Sequence, residues 1–145
     1  MPAIVVATDG SEGANRAVDY AARRAKQYNA ELVILNVIGG YGLPDKLVRM
    51  FAQAQNAWLQ EELTSISAEI VVKARDRARE IGAGTIKLDS RSGDVAQTIL
   101  DVARENNAEA IVVGKRGAGP VEGLLLGSVS QKLVLLSHVP VTVVP

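Results

Sequence analysis

No cysteine occurs among the 145 residues. That absence removes disulfides, thiolate zinc sites and thiol catalysis together, and agrees with a reducing compartment. The single histidine, His138, finds no cysteine partner, which leaves no zinc constellation. Neither sign of charge dominates: 16 Lys and Arg balance 16 Asp and Glu, so there is no bulk positive field to draw in nucleic acid. No uninterrupted apolar segment approaches the ~20 residues that a membrane helix needs. Met1 runs almost directly into Ala3-Ile4-Val5-Val6-Ala7, without the basic and long apolar regions of a secretory signal. These absences lead to the expectation of a cytoplasmic protein with no membrane and no nucleic-acid partner.

Two common nucleotide loops are also missing. In the dinucleotide pattern G-x-G-x-x-G, Gly117-Ala118-Gly119 would need a third glycine where Glu122 stands, and no Gly-Lys-Ser or Gly-Lys-Thr completes a Walker A loop. What the chain does have is apolar residue, 48% of the total, enough for the substantial core of one ordinary domain spanning residues 1–145. Uninterrupted Val- and Ile-rich runs recur at Ala3 to Ala7, Leu32 to Ile38, Ala110 to Val113 and Val139 to Val144. Such runs mark strands buried on both faces of a parallel sheet. Thr85 to Leu88 reads as a fifth, more polar strand nearer an edge.

Helical spacing fills the intervals. Ala14, Ala17, Val18, Ala21, Ala22 and Ala25 form one stripe behind Ser11, an N-cap with Glu12 favouring the helix dipole. Val95, Ile99, Val102 and Ala103 form another after the turn Ser92-Gly93-Asp94. In the long segment from Leu43 to Ile81, apolar residues at Leu59, Leu63, Ile66, Ile70, Ala74 and Ile81 read as a helix that covers the sheet. The glycines from Gly39 to Leu43, before Pro44, read as a loop beyond the second strand that could cover a ligand. Ser128-x-x-Gln131 reads as a capping box opening a last helix that ends near Ser137. The rhythm βαβαβαβαβ predicts an α/β fold, a parallel sheet with right-handed crossovers and helices on both faces.

In such a sheet, ligands bind beyond the carboxyl ends of strands where the winding reverses. Three loops leave strand ends there: Ala7-Thr8-Asp9-Gly10-Ser11, Asn36-Val37-Ile38-Gly39, and Gly114 onward. The last carries Gly-x2-Gly-x9-Gly-Ser, as Gly114, Gly117, Gly127 and Ser128, continuing as Val129-Ser130. Glycines admit close main-chain approach, and a helix N-terminus adds unpaired N–H donors, so phosphate suits this place. Asp9, Ser128 and His138 supply the residue types of a hydrolytic triad. One helix between Ser128 and His138, however, separates them by about 15 Å at ~1.5 Å per residue. Each site residue also has a plainer role: Asp9 a turn former, Ser128 a cap, Val37 a core valine.

The glycine pattern, with Ala7-Thr8-Asp9-Gly10-Ser11 after the first strand and Asn36-Val37-Ile38 ending the second, resembles the ATP-binding branch of the universal stress protein family. The resemblance covers essentially the whole chain. It implies a three-layer sandwich with a five-stranded parallel sheet of order 3-2-1-4-5, an adenine nucleotide (ATP or AMP) as ligand, and a homodimer through the last strand. Carried over residue by residue, Ala7, Thr8 and Asp9 would line the adenosine and Val37 would meet adenine. Gly114, Arg116 and Gly117 would wrap ribose and phosphates, and Gly127, Ser128, Val129 and Ser130 would hold the phosphates. Lys115 departs from the family pattern, where a small residue is usual. Magnesium could accompany ATP through phosphate oxygens and Asp9.

No residue is placed to activate water, so the expected role is a regulatory ligand in a stress response, with no catalytic residue and at most slow ATP hydrolysis. Two rivals stand beside it. One is a dimeric signalling scaffold of the same fold that does not depend on nucleotide; the intact glycines disfavour it. The other is a phosphoacceptor module using Asp9, which would need further carboxylates where Ala110 to Gly114 leads into Lys115-Arg116. The last strand, apolar on both sides, would expose its edge unless a second subunit paired with it.

Overall fold

A computed structural model describes residues 1–38, 57–115 and 127–145, with the side chains of 57–59 set aside. In chain order the elements are β1 (Ala3–Ala7), α1 (Glu12–Tyr28), β2 (Glu31–Ile38), α2 (Ala57–Ile81), β3 (Thr85–Ser92), α3 (Val95–Glu105), β4 (Ala108–Gly114), α4 (Ser128–Leu136) and β5 (Val141–Val144). The strands form one five-stranded sheet in the order β3-β2-β1-β4-β5, parallel at every pairing. This is the order that the resemblance implies. Successive strands step outward from β1 to β3, and the chain then crosses back to place β4 on the other flank of β1. The winding therefore reverses between β1 and β4.

Side chains alternate between the two faces of each strand, and the core divides accordingly. Ile4 and Val6 of β1 and Leu32 and Ile34 of β2 pack beneath α1 and α2. Val5, Ala7, Val33, Leu35, Val37, Ile111 and Val113 pack beneath α3 and α4. Both faces are thus covered, which is why the central strands read as unbroken apolar runs. The α1 stripe is buried at all six predicted positions, and Ser11 caps it by accepting the Ala14 N–H at 3.2 Å.

The structure departs from the sequence reading in several places. β3 continues past Leu88 to Ser92 because its full length pairs with β2, up to Ile38 opposite Ser92. An edge strand with one flank in water tolerates the polar residues that hid this extension. On α2 the buried positions are Ser67, Val71, Ala74 and Ala78, while Ile66 is 47% exposed. The inward face is rotated from the predicted stripe, and Ser67 occupies it because its hydroxyl finds a buried partner, the Asn36 Oδ1 at 2.6 Å. The expected capping box on α4 does not form: Gly127 is the N-cap, without a side chain to cap the helix, and Ser128 is the first helical residue. The loop expected from Gly39 to Pro44 lies outside the described residues.

Three described glycines, Gly10, Gly82 and Gly93, hold positive φ. Gly10, at φ +82°, turns the chain from β1 into α1, and Gly82, at φ +117°, ends α2 with its N–H bonded to the Ala78 carbonyl. Gly114 has another reason. A Cβ there would lie 3.1 Å from the carbonyl oxygen and 3.2 Å from the carbonyl carbon of Gly13, in the first turn of α1. Main chain cannot swing aside as a flexible side chain can, so β4 and α1 approach this closely only across a residue without a side chain.

Gly114→Ala should therefore cost about 1–3 kcal/mol in urea unfolding. Gly84→Ala, where no atom lies within 4 Å of the new Cβ, should stay within about 0.5 kcal/mol of the parent. Equal stabilities for the two variants would refute the packing account. Asp94 caps α3 by accepting the Gln97 N–H at 2.9 Å, and that bond first, with Lys132 second, holds its pKa below the ordinary carboxylate value. Asp94→Ala should lose about 1 kcal/mol at neutral pH. A lowered folded-state pKa gives stability that is complete above the unfolded value and lost as pH falls through the folded one. The gap between parent and variant in urea midpoints should accordingly close in strong acid.

Candidate functional site

The strand order reverses between β1 and β4, and beyond the carboxyl ends of strands at such a reversal this class of sheet forms its ligand crevice. On the β1 side the chain continues the ladder for one residue, with the Thr8 N–H bonded to the Leu35 carbonyl at 2.9 Å. It then turns. The Gly10 N–H donates to Thr8 Oγ1 at 3.1 Å and the Ser11 N–H to Asp9 Oδ1 at 2.9 Å, so both side chains brace the turn into α1. Thr8 is buried and Asp9 half-buried.

On the β4 side, Lys115 extends the ladder through its N–H to the Val144 carbonyl at 2.8 Å, and its own carbonyl accepts the Gly127 N–H at 2.9 Å. The chain leaves the sheet at 115 and returns to the same point at 127. Buried Ser130 fastens the return: its hydroxyl lies 3.0 Å from the Gly114 carbonyl oxygen and 3.4 Å from that of Lys115. These bonds bring the end of β4 against the first turn of α4. Gly127 has φ −71° and ψ 164°, ordinary N-cap values that any residue adopts, so its φ imposes no glycine. The N-cap, Gly127, has no side chain to accept from the first N–H groups of α4, and the helix dipole is positive there.

The predicted residues divide as follows. Thr8 and Asp9 stand on one rim, and Gly114, Gly127, Ser128, Val129 and Ser130 on the other, with Ser128 exposed. Arg116 and Gly117 lie outside the described residues. Ala7 and Val37 sit at the strand ends, but their side chains belong to the core under α3; Val37 is 1% exposed. Contact between Val37 and a ligand would run through its main chain. The triad types do not meet: α4 stands between Ser128 and His138. Among the described residues, no group of three or more His, Asp or Glu could hold a metal.

Sequence reasoning placed Asn36 at a strand end and gave it no role. Its amide donates to the Thr8 carbonyl at 2.8 Å and accepts from Ser67, and Ser67 lies 3.0 Å from the Ser90 hydroxyl. A lone amide inside the apolar run Leu32 to Ile38 was the available signal. Among the described residues, no helix is long and apolar enough to cross a membrane.

Comparison with known proteins agrees with this geometry. Universal stress protein YxiE of Bacillus subtilis (strain 168) is 32% identical over 144 residues, covering 97% of each chain. A universal stress protein crystallised in complex with cAMP is 29% identical with a TM-score of 0.70, over 99% of this chain and 96% of its own. The universal stress protein of Archaeoglobus fulgidus is 28% identical with a TM-score of 0.75, over 100% of this chain and 99% of its own. The sequence model described as Universal stress protein family matches residues 1–145, and the chain belongs to that family.

Proposed function

We propose that this chain binds an adenine nucleotide, ATP or AMP, in the β1/β4 crevice, and that the nucleotide is a regulatory ligand in a stress response. The observation that carries the reading is the first turn of α4, whose N-cap Gly127 supplies no side-chain acceptor, drawn onto the end of β4 by the Gly127 N–H to Lys115 carbonyl bond. Unpaired amides at a helix N-terminus complement phosphate oxygens in both direction and charge. Gly127, Ser128, Val129 and Ser130 hold the phosphates, with Gly114, Arg116 and Gly117 around the ribose. Ala7, Thr8, Asp9 and the Val37 main chain line the adenosine. The relative crystallised with cAMP supports an adenine-bearing ligand. Magnesium, when present, is carried by ATP beside Asp9. With no base placed to activate water among the described residues, hydrolysis is slow.

The same reading includes a homodimer through β5. The carbonyls of Pro140 and Val144 accept from β4, so by strand alternation the main-chain groups of Val141 and Val143 point away from the sheet. They form an open edge of half-buried valines. Leu135 on α4, 82% exposed, adds apolar surface. Pairing with a second copy satisfies that edge. A dimeric scaffold indifferent to nucleotide is the second reading, favoured by this apolar surface alone.

Two experiments test these readings. Because the Gly127 backbone angles suit any residue, Gly127→Val should keep the parent circular dichroism while weakening ATP in calorimetry by about tenfold or more, through lost amide approach. Equal affinity would remove the phosphate end of the site, and no binding of ATP or AMP by the parent would leave the scaffold reading. In sedimentation at micromolar concentration the parent should run as a dimer and Val143→Pro, which deletes an outward N–H and spares the β4 ladder, as a monomer. A monomeric parent, with or without nucleotide, would refute the dimer.

A further inference from the structure

The geometry points to Asn36 as a positioning residue for the adenosine end of the crevice, oriented by Ser67 of α2; this rests on the adenine-nucleotide reading above. Thr8, Asn36 and Ser67 are all buried, where an unpaired polar group is costly and a paired one is held firmly. The Asn36 Nδ2 to Thr8 oxygen distance of 2.8 Å and the Ser67 Oγ to Asn36 Oδ1 distance of 2.6 Å allow one amide orientation. Turned over, the amide would set its oxygen against the Thr8 carbonyl, acceptor on acceptor. Ser67 commits its one proton to Asn36, so the Ser90 hydroxyl, 3.0 Å away, donates to Ser67 in turn. The chain of donors runs from β3 through α2 and β2 to the end of β1.

The consequence lies in the peptide that follows. A trans peptide sets its N–H opposite its C=O. With the Thr8 carbonyl tied toward β2, the Asp9 N–H is aimed to the opposite side, toward β4 and the crevice. Asn36 thereby fixes the direction of the Thr8–Asp9 peptide and the starting point of the Gly10 turn without touching a ligand. Ser67 makes that direction depend on how α2 is seated, since a shift of the helix removes the acceptor-side partner of the amide.

The test uses calorimetry on the full chain, well below each variant's melting temperature, with ATP, adenosine and tripolyphosphate as probes. Asn36→Ala should weaken adenosine and ATP by about fivefold to tenfold, the worth of one buried hydrogen bond, and Ser67→Ala by about threefold. Tripolyphosphate should bind all three proteins alike. Should Asn36→Ala fail to fold, Ser67→Ala carries the test, because alanine is small and favours helix. A parallel loss for tripolyphosphate, or unchanged adenosine affinity, would overturn the assignment. If the parent binds neither ATP nor adenosine, the ligand reading itself fails, and amide hydrogen exchange then decides the positioning role alone. Gly10 and Ser11 should exchange about tenfold faster in Ser67→Ala and Asn36→Ala than in the parent, with α3 amides unaffected; unchanged exchange at both would overturn it.

Discussion

The close approach of β4 to the first turn of α1 sets the geometry on which the crevice depends. A Cβ on Gly114 would stand 3.1 Å from the main-chain oxygen of Gly13, closer than side chains ordinarily come. That contact brings the N-terminal turn of α1 and the C-terminal end of β4 together at the reversal of the sheet. The return of the chain at Gly127 and the Ser130 hydroxyl then fix α4 against the same strand end. Phosphate-binding loops are commonly explained by ligand approach alone. Here protein packing by itself favours the first glycine of the pattern, whatever the crevice holds.

A second constraint runs along the other rim. A parallel sheet covered on both faces leaves little place for polar side chains, yet Thr8, Asn36 and Ser67 are all buried. They are tolerable because each satisfies another, and among the described residues no buried side-chain nitrogen or oxygen lacks a partner. The network ties β1, β2, β3 and α2 at the end of the sheet where the crevice opens. Apolar packing along the strands supplies bulk stability without direction; the hydrogen bonds at their ends supply direction. Surface ion pairs such as Lys73–Glu69, with both side chains largely exposed, contribute little to either.

The two rims differ in kind. The β1 rim is braced by side chains on main chain, with Thr8 and Asp9 holding the turn and Asn36 holding Thr8. The β4 rim is closed mainly by backbone bonds between 115, 127 and 144, with the Ser130 hydroxyl its one side-chain brace among the described residues. Side-chain bracing holds the first rim to one fixed shape, whereas the second offers the N-terminal amides of a helix.

Periodicity and local chemistry in the sequence determined the alternation of strands and helices, the α1 stripe, the Ser11 cap, the polar edge strand and the glycine pattern that identifies the family. Those features are written within windows of a few residues, because alternation, helical spacing and capping are local. Tertiary structure alone decided why Gly114 is glycine, that Gly127 and not Ser128 caps α4, and that Ser67 rather than Ile66 lies on the buried face of α2. Each of these depends on a partner far away in sequence: Gly13 for Gly114, Lys115 for Gly127, Asn36 for Ser67. Close approach between distant segments leaves no local pattern, so no reading of the chain one window at a time could have found them.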